Sequence, residues 1–430
     1  MRSRSWFRSR INGLLLNEKK LALRSGTFSL VPRFQDIDSL GLYLHIPFCR
    51  QICPYCPYNK ELYHPAVAER YAEAVLREID RYADIVGNRP VTSFYIGGGT
   101  PTTMLHTGLA KILERIYQRF NMQCSIHMES HPNDLNAANL NSIAAMGVEH
   151  LSIGVEALQD RHLRTLCRPY TAAEARAAIG RAVGRGFKCV NVDFIFALPN
   201  QTHDELRQAA RTLVEIGVDQ IAAYPLFSFP YTKWAQMAQQ NRYQSYNLLQ
   251  KRQMRRVLEQ TFHDAGYEQT SVWAFTRAGA PRYCSVTVPL YLGLGASAGS
   301  YLRDIFYLNT FNVLEYIRAL EEGRTPIALS LELSKRMQMA GWLYWRIYET
   351  RFKKTDFQRR FCEDFDAVYG KYLKPWSLLG LLIERKDEIA LTDTGAYWLH
   401  AIQDLFSIDY VGELWGTSQQ KPWPGEVILS

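Results

Sequence analysis

The feature that most constrains the fold is an alternation of short apolar runs and amphipathic stretches that begins at residue 41. Runs rich in β-branched and aromatic residues occupy 41–46, 91–96, 124–129, 149–155, 188–196 and 219–226. Helical periodicity fills the intervals between them, most clearly at 65–86 and 172–186. Strand, helix and strand repeated in this way indicate a parallel sheet with right-handed crossovers. Six such units, rather than eight, predict an α/β fold built on an incomplete parallel β/α barrel.

The pattern changes after residue 240, and this change divides the chain into predicted domains. A basic N-terminal arm (1–40) precedes the barrel (41–240), and an extension (241–330) carries the glycine-rich run GLGASAG. Residues 331–430 predict a mixed, winged-helix-like domain, because a short apolar helix, a charged turn and a helix opened by Thr392 or Thr394 follow one another. The last domain lacks a basic recognition helix, so we expect it to cover a substrate or to act as a scaffold rather than to bind DNA.

Three of the chain's eight cysteines, Cys49, Cys53 and Cys56, fall within eight positions as C-x3-C-x2-C. The spacing is compatible with buried thiols clustered by chance and with a zinc site completed by His45 or His64. It is also compatible with an iron–sulfur cluster that has one iron left open. The triplet follows the first predicted strand, at the rim where barrels of this type place their chemistry.

Polar or glycine-rich groups also follow the later predicted strands. The second strand ends in GGGT (97–100), whose glycines allow close approach of backbone to a ligand. Glu129, Glu156 and Asp193 lie at the ends of the third, fourth and fifth strands. Three carboxyl groups at one rim of the barrel predict a polar pocket beside the cysteines.

Charge and composition exclude several classes of function. Of the net charge of +8, +7 lies in residues 1–34, which hold eight Lys or Arg against one acid, so a nucleic-acid-binding surface is not indicated. The basic leader contains Trp6, Phe7 and the apolar run 14–16. It predicts a solvated arm, or else contact with an anionic membrane or an acidic partner. Clustered rather than framework cysteines, and no apolar run of roughly 18 residues, predict a cytoplasmic protein.

Six segments together resemble one known family. YLHIPFCRQICPYC, IGGGTPT, ESHP, LSIGVEALQDRHLRTLCR, VNVDFIFALPNQT and YLGLGASAGS are similar, in order and spacing, to the oxygen-independent coproporphyrinogen III oxidase family, the HemN/HemW group of radical SAM enzymes. The resemblance runs from about residue 41 to 302 and more weakly to about 402. It implies a 4Fe-4S cluster, one or two molecules of S-adenosylmethionine (SAM), and reduced flavodoxin or ferredoxin as electron donor.

The resemblance also implies a role for individual residues. Cys49, Cys53 and Cys56 would hold the cluster, with the open iron left for SAM. Glu129 and Asp193 are the candidate catalytic residues and would also contact the cofactor. The remaining implied SAM contacts are Tyr43, Tyr55, Gly98, Gly99, Thr100, Glu156, Arg168, Gly295 and Ala298. Glu156 stands where coproporphyrinogen oxidases carry Gln, and loop 293–299 would close the adenine side.

Two departures from the family pattern bear on the reaction. Coproporphyrinogen oxidases place a cysteine two positions after the triplet, where this chain has Tyr58. The heme-chaperone branch carries a His-Asn-x-x-Tyr-Trp motif before the GLG loop, and the corresponding RYCSVTVPLYLGLG (282–295) has no histidine. We therefore expect the branch that contains C-methyltransferases, acting on a planar aromatic or tetrapyrrole substrate. A coproporphyrinogen III oxidase and a heme-binding chaperone are the alternatives.

Overall fold

A computed structural model describes residues 20–26, 28–240, 243, 245–283 and 289–429. The strands are β1 (Leu21–Arg24), β2 (Leu40–Ile46), β3 (Phe48–Cys49), β4 (Glu61–Leu62), β5 (Pro90–Gly98), β6 (Asn121–Met122), β7 (Ile126–Ser130), β8 (Val148–Glu156), β9 (Cys189–Phe196), β10 (Gln220–Pro225), β11 (Tyr267–Gln269), β12 (Ala274–Arg277), β13 (Tyr291–Leu294), β14 (Gly299–Tyr301), β15 (Ile305–Asn309), β16 (Ile327–Glu332), β17 (Arg351–Lys353), β18 (Leu382–Glu384), β19 (Glu388–Leu391) and β20 (Glu426–Leu429).

The α-helices are α1 (Pro65–Val86), α2 (Leu109–Arg119), α3 (Ala137–Ala145), α4 (Asp160–Thr165), α5 (Ala172–Arg185), α6 (His203–Ile216), α7 (Lys233–Gln239), α8 (Leu248–Asp264), α9 (Val313–Glu321), α10 (Lys335–Tyr348), α11 (Lys354–Phe361), α12 (Lys371–Leu378) and α13 (Asp393–Gln420). Short 3₁₀ helices occur at Val31–Phe34, Pro101–Met104 and Pro132–Asp134, and a π-helical turn at Asp366–Gly370.

The main sheet is an open partial barrel. Strands β10, β9, β8, β7, β5, β2 and β13 lie side by side in that order, and every neighbouring pair is parallel. Antiparallel strands extend both edges, β12 and β11 beyond β10, and β14, β15, β16, β1 and β20 beyond β13. The six predicted strands are confirmed, and β13 adds a seventh parallel strand beside β2. Parallel strands place their C-terminal ends, and the loops that follow, at one rim.

Helix α1 illustrates how the outer layer packs on this sheet. Pro65 occupies its first turn and Gly87, with φ +61°, follows its last residue, so the predicted range 65–86 is confirmed. Its buried positions, Ala68, Tyr71, Ala72, Ala74, Val75, Glu78, Ile79, Tyr82, Ala83 and Val86, form a stripe at helical spacing. Burying that stripe, rather than intrinsic propensity, stabilises the helix.

The predicted N-terminal arm joins the fold from residue 20 onward. Strand β1 pairs with both β16 and β20, and Leu23 is buried opposite Val427. Phe34 and Ile37 are also buried. Residues 1–19, which contain Trp6 and Phe7, lie outside the described residues. A membrane-binding test therefore requires removal of 1–19 alone, because a longer truncation removes β1. In the part of the chain that the structure describes, none of the helices has the length and apolarity needed to cross a bilayer.

The C-terminal region has the order of elements of a winged helix. Helix α10, strand β17, helices α11 and α12, and the hairpin β18–β19 follow one another, and the three strands pair as β17–β19–β18. Trp342, Phe352 and Phe357 centre its separate core. Helix α13 then continues for 28 residues against the barrel. The Tyr397 hydroxyl donates to the carbonyl of Leu248 at 2.6 Å, which joins α13 to α8.

The GLGASAG run is hydrogen-bonded to a buried carboxylate on α1, that of Glu78. Glu78 accepts hydrogen bonds from the Gly295 backbone N–H (2.7 Å), the Asn309 side-chain amide (2.8 Å) and the Tyr316 hydroxyl (2.6 Å). Burial raises the pKa of Glu78 to about 7 despite these donors. All three donors are buried. Without the carboxylate, the Gly295 N–H and the Tyr316 hydroxyl would lose their partner, and the Asn309 amide would keep only its 2.9 Å bond to the Gly295 carbonyl.

We expect Glu78→Leu to lower the free energy of unfolding by about 3 kcal/mol or more, because each orphaned buried donor costs about 1–3 kcal/mol. Urea unfolding followed by far-UV circular dichroism measures this change. Glu73→Leu, on the exposed side of the same helix, is the matched control and should shift stability by less than about 1 kcal/mol. Equal stabilities of the two variants would contradict the role assigned to Glu78.

Candidate active site

A cleft of about 660 Å³ opens at the C-terminal rim of the parallel strands. Successive strands or the loops after them contribute chemical groups to its lining: Cys49, Cys53 and Cys56 after β2, Gly98 from β5, Glu129 from β7, Glu156 from β8, Asp193 from β9 and Tyr224 from β10. The volume falls within the range of about 300–1,000 Å³ typical of small-molecule sites. The predicted polar pocket beside the cysteines is therefore a continuous cavity.

The cysteine loop is held by a dense set of backbone contacts. The Lys60 ammonium donates to the carbonyls of Cys56 (2.6 Å) and Tyr58 (2.9 Å), and the Tyr63 N–H donates to the carbonyl of Cys49 (2.9 Å). From the opposite side the Trp234 N–H donates to the carbonyl of Pro54 at 3.0 Å. These contacts fix the loop's path without engaging the three sulfur atoms.

The sulfur atoms have environments that suit ligation to iron. Burial raises the pKa of Cys49 to about 11 and that of Cys56 to about 12, so the free thiolates are disfavoured. Bound metal supplies the positive charge that offsets such a penalty. The Thr100 hydroxyl lies 3.4 Å from the Cys49 sulfur and the Arg168 guanidinium 3.3 Å from the Cys53 sulfur. Such donors stabilise thiolates, and this donor set fits an iron–sulfur cluster.

A mononuclear zinc site is poorly supported by the same geometry. Both ring nitrogens of His45 contact protein atoms, the Tyr43 hydroxyl at 2.7 Å and the Asn59 carbonyl at 3.0 Å. His64 is exposed and precedes α1. Across the described ranges, no three His, Cys, Asp or Glu side chains are grouped so as to hold one metal ion. Cluster ligands bind different iron atoms and need not converge on one point.

The glycine run after β5 packs directly against the cysteine loop. The Gly99 N–H donates to the carbonyl of Ile46 (2.7 Å) and the Thr100 N–H donates to that of Phe48 (2.8 Å). A Cβ on Gly99 would lie 2.7 Å from the Phe48 carbonyl oxygen, and Gly98 has φ +114° with the His45 ring at 2.6 Å. Only glycine fits at either position. Gly98, Gly99 and Thr100 all line the cleft, which is the placement their predicted role requires.

Glu129 on β7 and Asp193 on β9 both line the cleft, and β8 lies between these two strands. Glu129 accepts hydrogen bonds from the Tyr95 hydroxyl (2.5 Å) and the Gly98 N–H (3.1 Å). Asp193 accepts from the Ser152 hydroxyl (2.9 Å) and the Asn191 amide (3.0 Å). Burial raises the pKa of Glu129 to about 7 and that of Asp193 to about 8. Both carboxyl groups can therefore change protonation state near neutral pH.

Glu156 and Arg168 share a strained corner of the same rim. Glu156 has φ +69°, which is unusual outside glycine, and it lies at a register shift between β8 and β9. Its carboxyl accepts from the Tyr224 hydroxyl at 3.2 Å, while Arg168 donates to the Gly154 carbonyl and to the Tyr170 hydroxyl. Backbone strain of this kind costs about 1–3 kcal/mol and concentrates at functional sites.

Three of the residues predicted to contact SAM are not part of the cleft lining. Tyr43 stacks on Tyr95 one layer behind the cavity, with ring centroids 6.1 Å apart. Gly295 and Ala298 are buried at the junction with Glu78 and Tyr71. The structure brings together the other predicted site residues, namely the three cysteines, Tyr55, Gly98, Gly99, Thr100, Glu129, Glu156, Arg168 and Asp193.

Sequence reasoning identified none of the residues that form the aromatic and C-terminal walls of the cleft. Phe227, Phe229 and Trp273 line it after the last barrel strands, and Tyr344 and Tyr348 line it from α10. Helix α13 adds His400, Asp404, Ser407, Ile408, Val411 and Trp415. Most of these α13 residues are three or four positions apart, which places them on one face of the helix. This spacing is the sequence signal that could have identified the wall.

The half-buried carboxyl of Asp193 predicts how stability depends on pH. Its folded-state pKa of about 8 exceeds the unfolded value, so the folded chain holds a proton that the unfolded chain has released between these values. This contribution is fully present below the unfolded pKa and is lost as pH rises toward 8. Asp193→Asn should reduce the fall of stability between pH 5 and 8 by up to about 1.4 kcal/mol per pH unit.

Urea unfolding at four pH values, with the exposed Asp38→Asn as control, measures this difference in slope. A wild-type slope equal to that of Asp193→Asn would show that Asp193 is ionised in the folded chain.

The comparisons with known proteins agree with this geometry. Residues 43–213 match the radical SAM superfamily profile. The chain has a radical SAM domain and is similar to proteins of the HemN/HemW family. It is 26% identical over 360 residues to the heme chaperone HemW of Bacillus subtilis, covering 82% of this chain and 95% of that relative. It is also 26% identical to the oxygen-independent coproporphyrinogen III oxidase of Escherichia coli, over 69% of this chain and 68% of the oxidase.

Structural similarity supports the fold of this radical SAM protein. The solved structure of coproporphyrinogen III oxidase (HemN) from Escherichia coli matches with a TM-score of 0.76 at 21% identity, covering 89% of this chain and 94% of that one. The partial barrel with a C-terminal domain is therefore shared along nearly the whole length. Proteins of the radical SAM superfamily bind a 4Fe-4S cluster and SAM, so the match of this chain to that superfamily confirms the predicted cofactors.

Proposed function

We propose that this radical SAM protein is an enzyme in which Cys49, Cys53 and Cys56 hold the 4Fe-4S cluster and a planar tetrapyrrole is the substrate. The observation that carries the proposal is one cleft that combines the three thiols and two titratable carboxyls with a long aromatic wall. When bound, the cluster and SAM supply a 5′-deoxyadenosyl radical, which removes a hydrogen atom from the substrate. Reduced flavodoxin or ferredoxin is the proposed electron donor.

The chain's own residues bind and orient the reactants. The backbone of Gly98, Gly99 and Thr100 forms a surface without side-chain bulk, which suits the methionyl end of SAM. Glu129 and Asp193 are fixed by two protein donors each and accept further hydrogen bonds from ribose hydroxyls or an ammonium group. Buried acceptors of this kind orient a polar ligand within a largely apolar site.

The lining of the cleft favours a flat aromatic substrate. Its exposed lining is mostly apolar, with aromatic rings from the barrel and from α10 and α13. Aromatic faces stack on planar rings and exclude water. The exposed Arg50 and Arg282 lie at the margin of the cleft, where they can bind the carboxylates of a tetrapyrrole.

We propose C-methylation as the reaction. The position that coproporphyrinogen oxidases fill with cysteine is Tyr58, whose ring packs against Trp415 of α13 at 5.9 Å. In this chain a tyrosine that packs against the cleft wall therefore stands where the coproporphyrinogen oxidases have a thiol. The absence of histidine from 282–295 separates the chain from the heme-chaperone motif.

A heme chaperone is the second candidate, favoured by similarity to HemW over 95% of that protein's length. Anaerobic incubation with SAM, dithionite and iron protoporphyrin distinguishes the two. The enzyme hypothesis predicts 5′-deoxyadenosine, with S-adenosylhomocysteine as the product diagnostic of methyl transfer. A chaperone predicts heme binding without turnover. Absence of 5′-deoxyadenosine from cluster-loaded protein would contradict the proposed enzyme function.

A further inference from the structure

Helix α13 forms a wall of the cleft that the barrel does not supply. His400 and Asp404 lie near one end of this wall, and Trp415 lies near the other beside Tyr58. Fifteen residues separate His400 from Trp415, which corresponds to about 22 Å along a helix. The cleft is therefore elongated, with the cysteine loop near the Trp415 end and a histidine further along.

The hydrogen bonds of His400 assign its tautomer. Its Nδ1 lies 3.0 Å from the Gln403 side-chain oxygen, and the Gln403 amide nitrogen donates to the Tyr344 carbonyl at 2.9 Å. The second bond fixes the orientation of the amide, so its oxygen faces the imidazole and His400 Nδ1–H donates to it. The lone pair of the neutral ring is consequently on Nε2.

Nε2 is weakly engaged by the protein. Its nearby carboxylate, Asp404 Oδ1, is 3.4 Å away, which is longer than the usual 2.7–3.2 Å of an N–H···O hydrogen bond. Burial lowers the pKa of His400 to about 4, so protons do not compete for Nε2 at neutral pH. A buried neutral imidazole whose Nε2 makes only a long contact with Asp404 can donate this lone pair to a metal centre.

Two aromatic rings hold the His400 ring in place. Trp273 and Tyr348 pack against it edge-on, with centroids 5.1 Å and 5.6 Å away and interplanar angles of 74° and 77°. Both rings also line the cleft. Metal-binding histidines show the same arrangement, in which the second nitrogen donates to an oxygen acceptor that sets the orientation of the ring.

We propose that His400 Nε2 is an axial ligand to the iron of a tetrapyrrole bound in this cleft. This inference rests on the proposed function for its substrate class and deepens it, because it specifies a metallated rather than a metal-free ring. A metal-free tetrapyrrole offers no metal orbital to this lone pair, whereas iron forms a coordinate bond with imidazole.

The test uses full-length protein with its cluster reconstituted anaerobically and titrated with iron(III) protoporphyrin. We expect one equivalent to bind with the absorption and electron paramagnetic resonance signals of imidazole-ligated iron. His400→Ala should weaken binding at least tenfold and remove those signals, and added imidazole should restore them. His400→Gln keeps most of the side-chain volume and should behave like the alanine variant.

Two controls make the result specific. His131→Ala removes another histidine of the cleft and should leave the imidazole signals unchanged. Metal-free protoporphyrin should bind wild type and His400→Ala with equal affinity, because it has no iron to ligate. Unchanged iron signals in both His400 variants, or loss of the signals in His131→Ala alone, would overturn the proposal.

Failure of this inference can be told apart from failure of the proposed function. Cleavage of SAM without substrate, measured as 5′-deoxyadenosine in the wild type, reports on the proposed function independently of iron ligation. If wild type forms no 5′-deoxyadenosine but ligates iron through His400, the enzyme hypothesis fails and the ligand assignment stands. If SAM is cleaved and iron protoporphyrin is not ligated by His400, the ligand assignment fails and the enzyme hypothesis stands.

Discussion

Replacing Cys49, Cys53 or Cys56 by alanine is expected to abolish assembly of the 4Fe-4S cluster and all formation of 5′-deoxyadenosine. The three thiols line one cleft, and a cluster that uses three cysteines has no spare protein ligand. Wild type reconstituted under anaerobic conditions should contain close to four irons per chain and be brown. Iron analysis, visible absorption and chromatography of the nucleoside product measure the effect.

The cysteines outside the triplet provide matched controls. Alanine at Cys124, Cys167, Cys189, Cys284 or Cys362 should leave iron content unchanged, and Cys362 is the cleanest control because it is exposed in the C-terminal domain. Zinc in the purified protein with no uptake of iron would contradict the cluster assignment. Full iron content in a single triplet variant would contradict the role of that cysteine.

Glu129→Gln and Asp193→Asn are each expected to lower the rate of 5′-deoxyadenosine formation about 10- to 100-fold while leaving the cluster intact. Each substitution preserves side-chain shape but replaces one acceptor oxygen with an amide donor. The lost hydrogen bonds to a charged acceptor are worth about 1.5–3 kcal/mol, which gives this range of rates. Anaerobic assays with dithionite and saturating SAM, with iron content measured in parallel, test the prediction.

Glu149→Gln, on β8 away from the rim, is the control and should retain the wild-type rate. If the ionised carboxylates are the active forms, the wild-type rate should rise between pH 6 and 9, because the pKa of Glu129 is raised to about 7 and that of Asp193 to about 8. Loss of iron in either variant would instead assign the residue to holding the site together. Wild-type rates in both would remove the proposed contact with SAM.

The barrel could be predicted from the order of strands and helices, because the pattern that identifies each element lies within its own segment of the sequence. The strands β2, β5, β7, β8, β9 and β10 are apolar runs, and α1 has a buried stripe at helical spacing. Such periodicities show which face of a strand or helix is buried, even when the element that packs against it is not known. The order of elements then places Cys49, Glu129 and Asp193 at one rim, since parallel strands share direction.

Tertiary structure alone decided which residues meet across long separations. Strand β13 joins β2 although about 245 residues separate them, and β1 pairs with β16 and β20 near the other end of the chain. The GLGASAG run reads as a ligand loop in sequence, yet Glu78 binds it behind the cleft. Glycine permits close approach to either ligand or protein, so the pattern cannot say which neighbour is present.

The far wall of the cleft was likewise decided by packing. A helical face with His400, Asp404 and Trp415 is compatible with a core, a surface or a pocket, and only the placement of α13 against the barrel makes it a pocket. The sequence by itself therefore determined the cysteine triplet, the barrel and the rim at which the candidate site residues lie, all of which depend on local pattern and strand direction. The docking of distant elements, which depends on shape complementarity between their surfaces, determined the far wall of the cleft.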